Sequence, residues 1–359
     1  MNTIGALVKC IVAVGNILAG IGFLLAAYSP QVHPSAHPFW ACLGLALPLF
    51  ILLNACFLVF WLLLRSRYLL LPFLFFLAGA GSLTTYFAVG SPTPSEGTAY
   101  KLLTYNTQGK LFRTDKEHPA DTSLLNYLKR CNADIICLQE FMPNSDKALR
   151  QVNKALSAYP YSRYTRFKNG NGVACYSRFP ILSHHLIDYQ SRANGSVLYR
   201  LKMDQDTVLL INNHLESNKI NGTDKARYRH LLQGSHPEAK QNGKHLLGKL
   251  KKAVVIRAAQ ADSVAKVLRN TPTAYVLVCG DFNDSPVSYA HHTIGRGLTD
   301  AFTEAGFGTG ITYYQSWLYF RIDHIFAGPA FRVLQCETDR SIRASDHFPL
   351  WCTFEKRFP

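Results

Sequence analysis

Over its first 97 residues the chain carries only four charged side chains, Lys9, Arg65, Arg67 and Glu96. That near-absence of charge limits what this quarter of the protein can become more than any other feature. Three apolar stretches fill it, at residues 5–28, 39–64 and 69–90. Each reaches the ~20 residues that an α-helix needs to cross a ~30 Å hydrocarbon layer. Lys9, near the start of the first, can extend its ammonium to the headgroups while its stem stays in the apolar zone. A cleaved signal peptide would imitate the first stretch but not the second and third. The sequence therefore predicts a membrane anchor over residues 1–90 with three transmembrane helices, and a lipid bilayer as a partner.

The few charges also predict a direction. The turn between the second and third stretches carries Arg65 and Arg67, whereas residues 29–38 between the first and second carry no Lys or Arg. The positive-inside tendency puts Arg65 and Arg67 in the cytoplasm, and long domains cross largely regardless of charge. The expectation is an integral protein of the cytoplasmic membrane whose remaining 260 or so residues are extracytoplasmic (periplasmic). A Pro/Ser/Gly-rich linker at residues 91–99 separates anchor from domain.

The rest of the chain is a different material. It holds 35 of the 38 Lys and Arg and 22 of the 23 Asp and Glu, a net of +13. Such a surface attracts polyanions over about a Debye length, ~8 Å at physiological salt, without saying which polyanion. The nine cysteines show no metal-type spacing, and Cys137, Cys175 and Cys279 lie in apolar runs as small core residues. Cys336 and Cys352 can pair only if their strands are neighbours.

From Tyr100 onward short β-like runs alternate with helical ones. Strands are expected at 100–106, 134–138, 172–177, 197–203, 207–213, 275–279, 322–327, 332–338 and 350–354, and helices at 121–131, 145–157 and 240–270. In the last, Leu246, Leu250, Val254, Ala258, Ala261, Ala265 and Leu268 recur at helical steps. Such alternation within one domain, residues 100–359, indicates an α/β (α+β) fold, either two packed sheets or one large sheet with helices outside.

Polar residues fall at the C-terminal ends of these apolar runs. LLTY leads to Asn106, IICLQ to Glu140, LLINN to His214, and VLVCG to Asp281-Phe282-Asn283. A rigid sheet can gather such side chains into one cleft. Singly, each has an ordinary structural explanation; four placed alike do not.

These segments, together with NGVACYSRFPI, RIDHIFA and SDHFPLW, resemble the endonuclease/exonuclease/phosphatase (DNase I-like) superfamily, as a membrane-anchored bacterial member. The matching text appears in the family's order and covers roughly residues 100–354. The resemblance implies two packed β-sheets flanked by helices, a four-layer sandwich, and hydrolysis of a phosphoester by metal-activated water. It implies Mg²⁺ or Mn²⁺, hard cations bound through oxygen, held by Glu140 with Asn106 and Asp346 nearby. Asp281 would orient or deprotonate the attacking water and Asn283 would donate to a phosphate oxygen. Asp323 would hold the His347 imidazole and raise its pKa. Whether Asp281 or His347 is the base stays open. His214 matches a phosphate-contacting position but has no evident carboxylate partner. Asn171 and Arg321 are candidate substrate contacts, with a turn-forming role for Asn171 and support of Asp323 by Arg321 as alternatives.

The substrate class is left wide: nucleic acid, phospholipid or a small phosphodiester. Residues 216–257 carry ten basic against three acidic side chains, either a guide for a polyanion or lipid surface or simply a solvated helix face. The aromatic run Tyr313, Tyr314, Trp317, Tyr319 and Phe320 reads as strand packing rather than a base-stacking platform. The alternative to an enzyme is a non-catalytic membrane-bound binding or scaffold protein that retains the fold, against which the intact set of Asn, Glu, Asp and His argues.

Overall fold

The computed structural model describes residues 3–112, 122–191, 193–219, 223–224, 239–315 and 318–357. Its N-terminal part is helical: α1 (Thr3–Ala27), α2 (Pro38–Leu43), α3 (Leu47–Leu63), α4 (Leu70–Ala78) and α5 (Ala80–Tyr86). Two stretches are long and apolar enough to cross a membrane, Leu7–Ala27 and Pro38–Leu63. The expected third span is corrected. It breaks at Gly79 into α4 and α5, which meet at 67°, so it counts as a span only if the bent pair is taken together. The break sits at a close approach: a Cβ on Gly79 would lie 2.4 Å from the Phe23 ring, so only glycine fits there. The helices leave Leu18, Leu62, Leu63 and Leu77 about 60–80% exposed, a surface that suits lipid rather than water.

The remaining chain forms two six-stranded sheets. One has the order β15-β16-β2-β3-β5-β4: β2 is Ala99–Asn106, β3 Ile135–Gln139, β4 Tyr161–Arg166, β5 Gly172–Ser177, β15 Phe331–Thr338 and β16 Leu350–Lys356. The other runs β10-β14-β9-β8-β7-β6: β6 is Ile181–Leu186, β7 Gly195–Met203, β8 Asp206–His214, β9 Val276–Asp281, β10 Thr299–Asp300 and β14 Asp323–Ala327. Leu102, Ile135, Cys137 and Cys175 of the first sheet pack against Tyr199, Leu210, Leu277 and Cys279 of the second in one fully buried core. Helices α6 (Thr122–Arg130) and α7 (Asp146–Ala155) cover the first sheet. Helices α8 (Ala239–Asn270) and α9 (Tyr289–Ile294) cover the second, and α10 (Ala301–Ala305) follows. This is the expected four-layer sandwich.

Each sheet is built on one parallel pair, β2 with β3 and β8 with β9. Parallel neighbours require a crossover, supplied by α6 and α8, and they present their C-terminal ends at the same edge. Strands β4 and β6 escape the sequence reading because β4 is partly exposed along its length and β6 is mostly exposed, so neither shows a clean apolar face. Cys336 and Cys352 do face each other across β15 and β16, as free thiols.

The N-terminal helices and the two-sheet domain are packed together. Ala88, in the short strand β1 (Ala88–Val89), pairs with Gly308 of β11 (Phe307–Gly308) and joins the domain core. The linker is pinned as well: Glu355 accepts from Ser95 and from the Glu96 and Gly97 amides, and Arg332 pairs with Glu96 at 3.2 Å. Val287, from the loop after β9, is buried among Phe23, Ala26, Ala27 and Leu47 of the helices.

Candidate active site

Register explains why the polar residues meet. Asn106 pairs with Gln139, the residue before Glu140, and His214 with Asp281. Asp323, the first residue of β14, pairs with Asp281 from the antiparallel side. Two parallel ladders thus end at one edge and deliver Asn106, Glu140, His214, Asp281 and Asp323 to a single cleft. His347 arrives from the loop between β15 and β16, bridged to Tyr313 of the hairpin β12 (Tyr313–Gln315) and β13 (Leu318–Phe320).

Asp281 is the hub, with a side chain only 1% exposed. Its Oδ1 accepts the Asn283 backbone N–H at 2.7 Å; its Oδ2 accepts the Asn106 amide at 2.9 Å and the Asn283 amide at 3.2 Å. The same Oδ2 lies 3.9 Å from Nε2 of both His214 and His347. Burial and the neighbouring Asp323 charge push the carboxyl up to about 7, against the lowering influence of His347 and the hydrogen bonds. His347 moves the other way. Burial would depress it, but Asp323, bonded to Nδ1 at 2.8 Å, and the Asp281 charge raise it to about 10. His214 is lowered to about 4 by burial and by His347, so its ring is neutral, and its Nδ1 has no partner among the described residues. Its Nε2 faces two carboxylates beyond hydrogen-bond reach, Glu140 at 3.8 Å and Asp281 at 3.9 Å.

Two of these residues have left-handed backbones, Glu140 (φ 47°) and Asn283 (φ 53°), conformations that cost L-residues energy and recur at functional sites. Gly280 holds φ 127°, and a Cβ there would lie 2.0 Å from the Asn213 carbonyl oxygen, so the glycine before Asp281 is obligatory. Beneath the cleft Gln139 bridges the sheets, donating to Thr104 at 2.9 Å and to Asn212 at 2.6 Å. The sequence reading passed over Gln139 and Asn212. Their signal was a buried amide inside each apolar run, IICLQ and LLINN.

The remaining candidates sort by geometry. Asn106 spans Asp281 and Glu140 with its amide, donating to the latter at 3.2 Å. Asn283 spends its amide protons on Asp281 and on the Leu215 carbonyl at 3.0 Å, so it supports Asp281; donating to a phosphate would mean giving up one of these bonds. Asp346 is half-buried beside Ser345 and adds negative charge near His347. Asn171 is a loop former: its amide donates to Ala193 and its carbonyl accepts from Gly172. Arg321 turns away from the cleft. Its guanidinium is buried, donates to the Thr85 carbonyl of α5 and stacks 4.6 Å from Phe302. The amide of Asn171 is thus engaged within its own loop, and the Arg321 guanidinium with the N-terminal helices.

Part of the basic segment, residues 220–222 and 225–238, lies outside the described residues. Of the rest, Arg257 is fully buried on Asp284 at 3.0 Å and Lys249 pairs with Asp224, so neither is a free surface charge. Trp317 of the aromatic run also lies outside the described residues. Tyr313 packs its ring 5.2 Å from His347 and Tyr314 stacks on Phe348, both of them packing roles.

Negative charge dominates the cleft, so its residues suit a divalent cation. Asp281, Asp323 and His347 approach within 4.8 Å of one another. However, Nδ1 of His347 is taken by Asp323 and its imidazole is charged at neutral pH, which leaves a poor ligand. Glu140, with 30% of its side chain exposed and flanked by Asn106, is the carboxylate that an incoming cation can reach.

A cleft of carboxylates, amides and a charged histidine at the shared edge of two packed sheets is the arrangement of phosphoester-hydrolysing enzymes. Residues 103–347 match the model of the Endonuclease/Exonuclease/phosphatase family, and the chain belongs to that family. Residues 9–86 match a separate model, Domain of unknown function (DUF8431). Mouse 2',5'-phosphodiesterase 12 is 27% identical over 179 residues, covering 46% of this chain. The match covers only 28% of that relative's length. Among solved structures, humanized D. rerio TDP2 superposes with a TM-score of 0.52 at 17% identity, covering 72% of this chain and all of that one. An endonuclease/exonuclease/phosphatase from Bacteroides vulgatus gives 0.50 at 16%, covering 73% of this chain and all of that one. At these identities the structural likeness concerns the fold.

Proposed function

We propose that the chain is a membrane-tethered phosphodiesterase that uses a divalent cation, Mg²⁺ or Mn²⁺, with its catalytic domain on the extracytoplasmic side. The observation that carries this reading is the opposed pair in the cleft. Asp281 is poised near pH 7 and His347 is held as an imidazolium to about pH 10, with Asp281 Oδ2 and His347 Nε2 3.9 Å apart. Groups whose environments push their pKa values apart divide base and acid roles between them. Asp281 takes the proton of the attacking water, held in aim by Asn106 and Asn283. His347, oriented by Asp323, stabilises the charge that grows on the phosphate oxygens. Glu140 would hold the cation, with Asn106 and Asp346 beside it. A bound cation would neutralise phosphate charge and lower the pKa of water.

Tethering is supported by the two long apolar helices and by the exposed leucines around them. The orientation is supported by two contacts of the first loop: His33 reaches Asp262 of α8 at 3.1 Å and packs on Tyr289 of α9. That loop and the catalytic domain therefore share a side, while Arg65 and Arg67 lie in the turn between the following apolar helices, where positive charge favours the cytoplasm. A phosphodiester substrate agrees with the named activity of the mouse relative and with D. rerio TDP2 having been seen with a single-strand DNA product. The test is hydrolysis by the full chain in detergent of bis(p-nitrophenyl) phosphate, DNA, RNA and sphingomyelin, with Mg²⁺ or Mn²⁺ and with EDTA. Activity should need the cation and fall at least ~100-fold in His347→Ala; hydrolysis at the parental rate by that variant would remove the proposal.

A further inference from the structure

A cavity of about 510 Å³ opens where the helices meet the domain, away from the catalytic cleft. Its anchor wall comes from the end of α1, with Tyr28, and from the break between α4 and α5, with Gly81 and Thr85. Its domain wall is α9 and the turn after it, with His292, Arg296 and Asp300. A volume of this size is in the range of small-ligand sites, ~300–1,000 Å³. Gly81 contributes space rather than contact, because a Cβ there would meet nothing within 4 Å.

The charges in this cavity are unequally committed. Asp300 is bonded to His291 at 3.1 Å and caps α10 through the Phe302 and Thr303 amides. Among the described residues no carboxylate pairs with Arg296. The wall therefore offers an uncompensated guanidinium with the His292 imidazole one helical turn before it. The position in the fold narrows the ligand. Tyr28, whose hydroxyl donates to the Ala78 carbonyl at 2.8 Å, and Trp40, whose indole donates to the Leu25 carbonyl at 2.6 Å, sit where aromatic side chains mark the edge of a bilayer. Running up to the same break, Leu70, Phe73, Leu74 and Leu77 form an exposed apolar stripe along α4, each at least 54% exposed.

We propose that the cavity holds the phosphate of an anionic membrane phospholipid, bound by Arg296 and His292, with its acyl chains on the α4 stripe. This rests on the membrane reading above. The lipid would wedge the bent α4–α5 pair against the domain beside Thr85, whose carbonyl Arg321 holds, two residues from Asp323.

The full chain, purified in mild detergent from membranes rich in phosphatidylglycerol, is examined by native mass spectrometry for retained phospholipid. Parent protein should carry one retained phosphatidylglycerol. His292→Gln/Arg296→Gln, and separately Gly81→Leu, which fills the cavity, should each reduce it at least tenfold. Added dioleoyl phosphatidylglycerol should raise the parent's melting temperature and leave the variants' unmoved. Equal lipid retention in parent and both variants overturns the inference, as does equal protection of the parent by inorganic phosphate, which would make the site one for the free anion. Carbonate washing of the membranes tests the underlying reading separately: a chain released by it is not an integral membrane protein, whereas a chain that stays but binds no lipid refutes the cavity assignment alone.

Discussion

Replacing Asp281 by Asn should remove activity and, above neutral pH, make the protein more stable. The reason is the position of the carboxyl, raised from 3.8 to about 7 by burial and by Asp323. An acid whose folded pKa is raised stabilises the fold fully below its unfolded pKa and loses that contribution as pH rises through the folded value. At pH 8 the native state thus carries a charge that it disfavours by about 4 kcal/mol, at 1.36 kcal/mol per pKa unit. The amide removes that burden, but it turns an NH₂ toward donors that now bond both oxygens, Asn283 N–H at 2.7 Å and Asn106 at 2.9 Å. A buried mismatch of that kind costs ~1–3 kcal/mol. The net expectation is a gain of ~2 kcal/mol at pH 8 and a loss of similar size at pH 4, with the change spread between those limits. The assay is the melting temperature of parent and Asp281→Asn in the same detergent from pH 4 to pH 9, beside kcat/KM on a phosphodiester. A stability difference independent of pH would refute the assigned environment of Asp281, and full activity would refute its role as base.

Other consequences are as direct. Asp323→Asn removes one of the carboxylates that hold the His347 imidazole charged, together with its hydrogen bond, leaving only Asp281 and Asp346 to oppose burial, so the alkaline limb of the pH–rate profile should move down from about 10 and the rate above pH 8 should fall with it. An unmoved limb would assign it to another group. Glu140→Gln should raise the Mg²⁺ concentration for half-maximal activity at least ~10-fold while leaving the melting temperature without metal within a few degrees; an unchanged metal titration would put the cation elsewhere. Gly280→Ala, with its Cβ driven to 2.0 Å from the Asn213 carbonyl, should destabilise by ~2–4 kcal/mol and be detected as low yield or a lowered melting temperature. Parental stability there would show that the β8–β9 ladder can open.

Much of the cleft edge is legible in the sequence. Strands β2, β3, β8 and β9 are buried on both faces, so they read as unbroken apolar runs, and the polar residue that ends each run marks the cleft edge. The loss of charge over the first 97 residues likewise marks out the apolar helices, two of them long enough to cross a membrane. Hydrophobic pattern and element length are local properties, which is why sequence suffices for them.

Other features depend on what packs against what, and no local pattern contains that. The third apolar stretch bends by 67° at Gly79, where the Phe23 ring of α1 leaves no room for a Cβ. Arg321, near Asp323 in sequence, faces Thr85 because the anchor supplies a helix-end carbonyl on that side. Sequence also left the base open between Asp281 and His347, and the proposed assignment to Asp281 is an electrostatic one, argued from burial and from which residue faces Asp323 at hydrogen-bond distance. The sequence alone determined the two materials of the chain and the polar residues that end its apolar runs. Only the tertiary structure decided which of them meet, because the pKa of a buried group is set by neighbours that arrive from distant segments.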